Sequence, residues 1–184
     1  MQRVMIIGQP GSGKSTLARQ IGDITQLPVV HIDLIHWKEG WVERKGAEKD
    51  ALIAKVHAQD TWIFEGGRSS TWPERLARAD TVIWLDLSLP LRLRRVVWRT
   101  LKHYGKSRPD LPKGCPERFD LEFYQFIWRT RHTSRTRAIS LLQSAPPDKA
   151  VHHLRSPREV AHYLSSLRTA AKTGTLGIPN EYSE

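Results

Sequence analysis

The sequence predicts an α/β fold in which helices cover both faces of a parallel sheet. Strand and helix patterns alternate along the 184 residues, with short links between them. This alternation is typical of parallel sheets, whose functional residues lie at the carboxyl ends of the strands. A glycine-rich loop directly after the first apolar run supports the same class. Apolar runs predict five strands, at residues 4–7, 29–32, 61–64, 81–85 and 150–154.

Helical spacing predicts helices at residues 14–24, 47–59, 73–79, 90–103, 120–143 and 157–167. In the helix at 120–143, one apolar stripe predicts core packing for Phe123, Ile127, Ala138 and Leu142. The segment 104–118 is rich in proline, glycine and charge, and it predicts an exposed loop or lid. We expect one domain over residues 1–168 and a flexible tail over residues 169–184.

Residues 8–16 form a complete phosphate-binding loop, Gly-Gln-Pro-Gly-Ser-Gly-Lys-Ser-Thr. Its glycines allow backbone N–H groups to turn toward a phosphate, and the helix that follows begins facing the same anion. Lys14 is placed to reach the β- and γ-phosphates, and the Ser15 hydroxyl is placed to ligate Mg²⁺. The motif therefore predicts binding of ATP with magnesium. The expected contacts are Gly8, Pro10, Gly11, Ser12, Gly13, Lys14, Ser15 and Thr16.

Positive charge is concentrated in one quarter of the chain. Residues 92–137 hold 13 lysines and arginines against four acids, which is +9 of the net charge of +10. Such a block requires a polyanion nearby, either nucleotide phosphates or a nucleic-acid backbone. The single cysteine, Cys115, forms no internal disulfide, and we expect it to be structural. With no signal peptide or long apolar run in the sequence, we expect a cytoplasmic protein without a membrane partner.

Acidic residues follow three of the predicted strands, at Asp33, Glu65 and Asp86. Asp33 can orient an acceptor hydroxyl or take its proton, and Trp37 can form a wall of the pocket. Glu65 can hold Mg²⁺ through water, and we prefer Glu65 and Asp33 to Asp86 for the metal shell. The structural alternative for Asp33 and Trp37 is a helix cap beside core tryptophans.

Two glycines and an arginine follow Glu65. Gly66 and Gly67 permit a close approach of the backbone to a ligand, and Arg68 can meet an anionic acceptor. A plain turn is the alternative. The predicted substrate-binding residues are Asp33, Trp37, Glu65, Gly66, Gly67 and Arg68, and the predicted metal residues are Ser15 and Glu65.

Arginine pairs lie at i, i+4 spacing on each side of the predicted lid. Arg95 and Arg99 precede it, and Arg131 and Arg135 follow it. Residues at this spacing share a helix face, so both pairs can point into one cleft and offset charge on the γ-phosphate. A solvated charged face is the alternative. The predicted catalytic residues are Lys14, Asp33, Arg95, Arg99, Arg131 and Arg135.

Several segments together carry a family resemblance. They are the phosphate loop, Asp33 with Trp37 and Gly40-Trp41, residues 62–66, residues 78–86, Arg108-Pro109-Asp110 and Gly114-Cys115-Pro116-Glu117-Arg118. Over roughly residues 2–168 the chain resembles the adenylate-kinase-like P-loop proteins of the topology-modulation (FlaR-related) group. The resemblance implies a three-layer P-loop NTPase fold with sheet order 2-3-1-4-5 and a helical lid insertion at about 102–118. It also implies an adenine pocket near Arg155. Glu65-Gly66-Gly67-Arg68 departs from the Asp-Gly-(Phe/Tyr)-Pro-Arg of nucleotide kinases, which argues against AMP as the acceptor.

Two functions are compatible with these features. The first is a phosphotransferase that moves the γ-phosphate of Mg-ATP to a small-molecule, nucleoside or nucleotide acceptor. The second is a nucleic-acid-binding ATPase or switch that grips phosphates with the basic block. The positive charge is confined to the predicted lid and its flanking helices, so the sequence favours the kinase.

Overall fold

Five parallel strands form the centre of the molecule in a computed structural model that describes residues 1–175. Numbered along the whole chain, they are β1 (Arg3–Gly8), β2 (Val29–His31), β5 (Trp62–Glu65), β6 (Thr81–Leu85) and β7 (Ala150–Leu154). The remaining two, β3 (Trp37–Lys38) and β4 (Val42–Glu43), form a separate antiparallel hairpin that the sequence did not predict. The main sheet has the order β2-β5-β1-β6-β7. Counted along the chain within that sheet, this is the expected 2-3-1-4-5.

Helices cover both faces of the sheet. They are α1 (Lys14–Thr25), α2 (Ile32–His36), α3 (Gly46–His57), α4 (Trp72–Arg78), α5 (Leu89–His103), α6 (Leu121–Arg129), α7 (Arg131–Gln143) and α8 (Pro157–Lys172). Single 3-10 turns occupy Glu39–Trp41 and Ser69–Thr71. Within residues 1–175, none of these helices combines the length and the apolar character needed to cross a membrane.

Alternating residues of β1 place the strand in two cores. Val4 and Ile6 face one side of the sheet, and Met5 and Ile7 face the other, and all four are fully buried. The first core includes buried residues of α1 and α8, and the second includes those of α3, α4 and α7. Burial of β1 on both faces is typical of a central parallel strand. The phosphate loop therefore starts from a central strand that is buried on both faces of the sheet.

The expected helix at 120–143 is two helices. It breaks at Thr130, whose φ of −90° and ψ of 1° end α6 before α7 begins. Ile127 and Ala138 are buried and Leu142 is partly buried against the core, but they belong to different helices, so the predicted single stripe was wrong. Helix α8 also runs five residues further than predicted, to Lys172. The predicted tail thus begins inside a helix, and its residues 176–184 lie outside the described part of the chain.

The segment 104–118 is partly exposed and partly packed against the body of the protein. Leu111 and Cys115 are buried, and so are the carboxylates Asp110 and Glu117. Its two ends pair through short bridges, Tyr104 with Glu117 and Ser107 with Pro116. Most of the rest of the segment, including Lys106, Lys113 and Arg118, is exposed as expected. The buried part was not foreseen, because Asp110 and Glu117 leave solvent by forming ion pairs with Arg108. A role as a lid stays a prediction. We call residues 104–118 the lid segment below.

Candidate active site

The phosphate loop joins β1 to α1. At Gly11 its backbone has a left-handed conformation that only glycine adopts readily. Its φ is +78°, and a Cβ there would lie 2.4 Å from the carbonyl oxygen of Arg92. The glycine is therefore required by the close packing of α5 on the loop, in addition to any requirement of a bound phosphate. Gly8 and Gly13 also have positive φ values. The loop conformation is thus fixed by its own protein surroundings.

Polar groups of the loop remain available to a ligand. Lys14 is half-buried, and its Nζ donates a hydrogen bond to the carbonyl of Gln9 at 3.3 Å. Ser12 is buried, and its Oγ has no hydrogen-bond partner among residues 1–175. Ser15 is half-buried and Thr16 is exposed at the start of α1. A helix N-terminus, a glycine cradle and an unpaired buried hydroxyl together fit a polyphosphate.

A lysine and two carboxylates share the end of the sheet beside this loop. Burial lowers the pKa of Lys14 below its ordinary value, while the charges of Glu65 and then Asp33 act in the opposite direction. Glu65 is buried at the end of β5, and Asp33 is the second residue of α2, directly after β2. The two acids therefore reach the loop from the two strands on that side of β1.

The two carboxylates have different surroundings. Glu65 Oε1 lies 2.7 Å from Nδ1 of His31, a buried residue that we had not expected at the site. Burial, followed by the charge of Glu65, raises the pKa of Asp33 above its ordinary value, and Lys14 opposes this rise. Asp33 therefore accepts a proton more readily than an ordinary aspartate, because burial and the charge of Glu65 destabilise its ionised form. This is the property that a general base requires.

Asp86, the third acid, is already ion-paired. It follows β6, on the other side of β1 from Glu65, and its Oδ2 lies 3.0 Å from Nη2 of Arg135. The same oxygen lies 3.1 Å from Nε2 of His153. These contacts connect Asp86 to α7 and β7, whereas Asp33 and Glu65 interact with Lys14.

Two arginines of α5 contact the backbone of the phosphate loop. Arg95 donates from Nη1 to the carbonyl of Ser12 at 3.0 Å. Arg92, which was not among the predicted residues, is buried and donates to the carbonyls of Leu87 at 3.0 Å and Pro10 at 3.4 Å. These bonds hold the loop carbonyls outward, which leaves its N–H groups for an anion.

The lid segment is joined to α5 by a buried ion-pair network. Glu117 Oε1 lies 2.5 Å from Nε of Arg108 and 3.2 Å from Nε of Arg99. Arg108 also pairs with Asp110 at 2.5 Å, and Asp110 lies 3.7 Å from Nη1 of Arg19 on α1. Burial, then the neighbouring charge of Arg108, lowers the pKa of Arg99. Arg108 and Glu117 were not predicted as site residues, because the dense charge of the lid segment had been interpreted as a sign of exposure.

The second predicted arginine pair does not join the first. Arg131 donates to the carbonyl of Trp128 at 2.6 Å, and its guanidinium lies 4.0 Å from the Trp128 ring centroid. Arg135 is occupied by Asp86. Arg95 and Arg99 instead contact the Ser12 carbonyl and Glu117, so the two pairs have different partners in this structure. The start of α7 still touches the loop, because the Gln9 side chain donates to the Arg131 carbonyl at 2.8 Å.

The hairpin of β3 and β4 supports the lid segment. Cys115 Sγ accepts a hydrogen bond from the backbone N–H of Trp41 at 3.2 Å and lies 3.4 Å from the carbonyl of Lys38. The Trp41 indole donates to the carbonyl of Pro116 at 3.3 Å, and its ring meets that of Trp37 edge to face at 5.4 Å. Cys115 is thus structural, as expected, and Trp41 joins the lid segment to Trp37.

The segment after β5 has a structural explanation for much of its sequence. A Cβ at Gly66 would lie 2.0 Å from Ile32, so this glycine allows α2 to approach β5. The carbonyls of Gly66 and Gly67 accept from Arg75, which is fully buried. Burial lowers the pKa of Arg75 to about 10. Arg68 pairs with Asp50 at 2.7 Å on the surface of α3. Gly66 thus has a structural reason of its own, Gly67 has open space around it, and a ligand contact at either glycine stays a prediction.

Arg155, the residue expected near adenine, is exposed between β7 and α8. Its backbone N–H donates to Glu159 at 2.8 Å, and Ser156 caps α8. Neither of these hydrogen bonds involves the Arg155 guanidinium group. Its contact with adenine stays a prediction.

Comparison with known proteins places this site in a kinase context. No family model matches the chain. A cytidylate kinase of Pyrobaculum aerophilum is 31% identical over 140 residues, covering 67% of this chain and 72% of that protein. A shikimate kinase of Rhodococcus jostii is 26% identical over 128 residues, covering 62% and 73%. The solved structure of a shikimate kinase from Acinetobacter baumannii, in complex with shikimate, has a TM-score of 0.52 at 12% identity and covers 96% of both chains.

These similarities support a P-loop kinase. They give no support to the nucleic-acid-binding ATPase, and they do not show the topology-modulation group. The shikimate kinase structure, at 12% identity, shows the fold alone. The match to the cytidylate kinase, at 31% identity over about two thirds of each chain, shows the family. The chain belongs to the P-loop kinase family that includes the cytidylate kinases.

Proposed function

We propose that this protein transfers the γ-phosphate of Mg-ATP to a small acceptor. The observation that carries the proposal is the meeting of Lys14, Asp33 and Glu65 at the end of the sheet, beside the phosphate loop. Phosphoryl transfer requires a cation that contacts the transferred phosphate. It also requires carboxylates that hold the metal and orient the acceptor. The similarity to cytidylate and shikimate kinases supports the same reaction class.

ATP and Mg²⁺ would be held by the loop and by one strand end. Backbone N–H groups of residues 8–16 would cradle the phosphates, with Lys14 at the β- and γ-phosphates. Ser15 and Glu65 supply the oxygen donors that Mg²⁺ prefers, and this ion commonly retains several waters beside one or two carboxylates. When bound, the metal would neutralise charge on the phosphates. Arg155 is the proposed contact for adenine.

Arginines of α5 and the lid segment have separate proposed roles. Arg95, bonded to the loop backbone, keeps the cradle in shape. Arg99 and Arg108 lie close enough to Asp33 for their charges to influence its environment. Electrostatic stabilisation of a transferring phosphoryl group by preorganised cations is a large part of catalysis in such enzymes.

Binding and turnover test the proposal together. Thermal unfolding with a non-hydrolysable ATP analogue and Mg²⁺ should show stabilisation, about 2.7 kcal/mol at a hundredfold excess over Kd. ADP release from ATP should then rise when an acceptor is present, and ³¹P NMR should show the phosphate on that acceptor. Failure of the analogue to stabilise the protein at millimolar concentration would contradict the proposal.

A further inference from the structure

We propose that the acceptor is an alcohol without a phosphate group, and that its hydroxyl meets Asp33. This inference rests on the proposed kinase function and names the substrate class of the same site. The name of the cytidylate kinase relatives suggests CMP as the acceptor, and CMP would attack through its phosphate group. The acceptor proposed for this protein attacks through a hydroxyl group instead. The geometry at the acceptor end of the site supports a hydroxyl in three ways.

The first is the position of Asp33. Its carboxylate is half-buried, lies at the carboxyl end of β2 and interacts with Lys14 of the phosphate loop. An attacking alcohol must lose a proton, and a partly desolvated carboxylate beside the phosphate site can take it. An attacking phosphate is already ionised at neutral pH, so it does not need such a base. A hydroxyl acceptor would therefore use Asp33 as its base, a use that a phosphate acceptor does not have for it.

The second is the charge around that base. Glu65 and Asp110 are buried, and both act on Asp33 with like charge. Lys14 and Arg108 act with opposite charge, but Arg108 is already paired with Asp110 and Glu117, and Lys14 is the proposed partner of the ATP phosphates. A phosphate dianion placed beside Asp33 would add further negative charge to a poorly hydrated cluster of carboxylates. A neutral hydroxyl group avoids this repulsion and can donate a hydrogen bond to the carboxylate.

The third is the occupation of the arginines on this side. The sequence predicted that Arg68 meets an anionic acceptor, but Arg68 pairs with Asp50 at 2.7 Å. Arg44 pairs with Glu48 at 2.6 Å and donates to the Ile35 carbonyl at 3.0 Å. Arg75 is enclosed by the carbonyls of Gly66 and Gly67. Each of these guanidinium groups would have to leave a protein partner before it could bind a phosphate.

The wall of the site suits a compact ring. Trp37 follows α2 directly, and its backbone N–H bonds to the Asp33 carbonyl. Its indole packs edge to face with Trp41 under the lid segment. Aromatic faces of this kind pack well against the C–H surface of a polyhydroxylated or nucleoside ring.

The reaction balances with groups already named. The acceptor oxygen forms a bond to the γ-phosphorus, and the bond from that phosphorus to the bridging oxygen of ATP breaks. The hydroxyl proton passes to Asp33 and is later released to water. The products are ADP and a phosphomonoester, whereas a phosphate acceptor would give a phosphoric anhydride.

The test uses the full chain and matched acceptors. ADP release is measured with Mg-ATP and either CMP, cytidine, shikimate or ribose, and products are identified by ³¹P NMR. We expect the CMP rate to stay within twofold of the rate with ATP alone and any product to be a monoester. Conversion of CMP or another nucleoside monophosphate to its diphosphate at more than tenfold that rate would overturn the inference while leaving the kinase function intact.

A binding measurement decides the matter if none of the tested alcohols reacts. With the ATP analogue bound, calorimetry should give a Kd for CMP above 1 mM in the native protein. Asp50→Asn, which leaves the phosphate loop untouched, should free Arg68 and tighten CMP binding at least tenfold. Micromolar CMP binding to the native protein, or no change in the variant, would overturn the inference. Loss of ATP-analogue binding itself would instead contradict the proposed function.

Discussion

The donor side and the acceptor side of this site are built in different ways. The donor side is a continuous loop, residues 8–16, whose shape comes from backbone conformation and from contacts with α5. The acceptor side joins α2, β5, the hairpin of β3 and β4, and the lid segment through side chains distant in sequence, such as Trp41 and Cys115. A local motif can specify the first arrangement, but the second exists only after the chain has folded.

This difference predicts how each side responds to substitution. Changes in the loop should act on ATP binding and on every acceptor alike, because the loop handles the phosphates common to all reactions. Changes on the acceptor side should act on one acceptor more than another, or on the docking of the lid segment. The following substitutions are ordered by the size of the effect that this comparison leads us to expect.

Lys14→Ala should have the largest effect. Its ammonium is the loop cation closest to both Asp33 and Glu65, and nothing in α1 replaces it. Removing one preorganised group of this kind lowers kcat by ~10²–10³-fold, measured as ADP release. The matched control is Lys55→Ala, an exposed lysine of α3, which should retain the native rate. A Lys14 variant with more than a tenth of native turnover would mean that the loop does not hold the transferred phosphate.

Asp33→Asn should lower kcat by about 10²-fold, the lower range for loss of a general base. An ordinary aspartate has a pKa of about 4, and burial and Glu65 raise the pKa of Asp33 above it. Activity should therefore fall as the pH drops through this raised pKa, because the base becomes protonated. The variant should lose this acidic limb of the pH profile. A native profile that is flat down to pH 4 would contradict the role of Asp33 as the base.

The same raised pKa gives Asp33→Asn an opposite effect on folding. A carboxyl group with a higher pKa in the folded state than in the unfolded state lowers stability as the pH rises through that interval. At neutral pH its ionised form therefore destabilises the native state, and the amide removes this cost. We expect the melting temperature of the variant to equal or exceed that of the native protein, so lost activity would not reflect lost folding.

The sequence predicted features that depend on local pattern. Strand positions, the 2-3-1-4-5 order and the phosphate loop follow from periodicity, a family resemblance and a nine-residue motif, and the structure has all three. The sequence could not show the break at Thr130, because residues on both sides have ordinary helical spacing. The docking of the lid segment was missed because Glu117, Arg99 and Arg108 become buried only by neutralising one another. Gly66 was assigned to a ligand because its close neighbour, Ile32, lies 34 positions away in sequence.

Glu117→Gln should weaken the docking of the lid segment. Glu117 is buried, forms ion pairs with Arg99 and Arg108, and accepts a hydrogen bond from Thr100, so the uncharged amide leaves two arginines poorly paired. Hydrogen bonds to charged groups contribute about 1.5–3 kcal/mol each, and we expect ~2 kcal/mol lost from the free energy of unfolding in urea. Glu122→Gln, at an exposed acid of α6, is the control and should change it by less than ~0.5 kcal/mol. Equal stabilities for the two variants would show that the ion-pair network does not hold the lid segment.

Arg135→Ala should have the smallest effect, although its spacing from Arg131 made it a catalytic candidate. Its guanidinium is bound to Asp86 and its side chain is 52% exposed. The Asp86 side chain is only 7% exposed but keeps His153 as a partner at 3.1 Å, so losing the exposed arginine should cost no more than about 1 kcal/mol. We expect kcat to fall less than threefold, against at least tenfold for Arg99→Ala, whose charge reaches the environment of Asp33. If Arg135→Ala were instead as damaging as Arg99→Ala, α7 would have to turn its arginines toward the phosphate during the reaction, and the two sides of the site would be less separate than this structure shows.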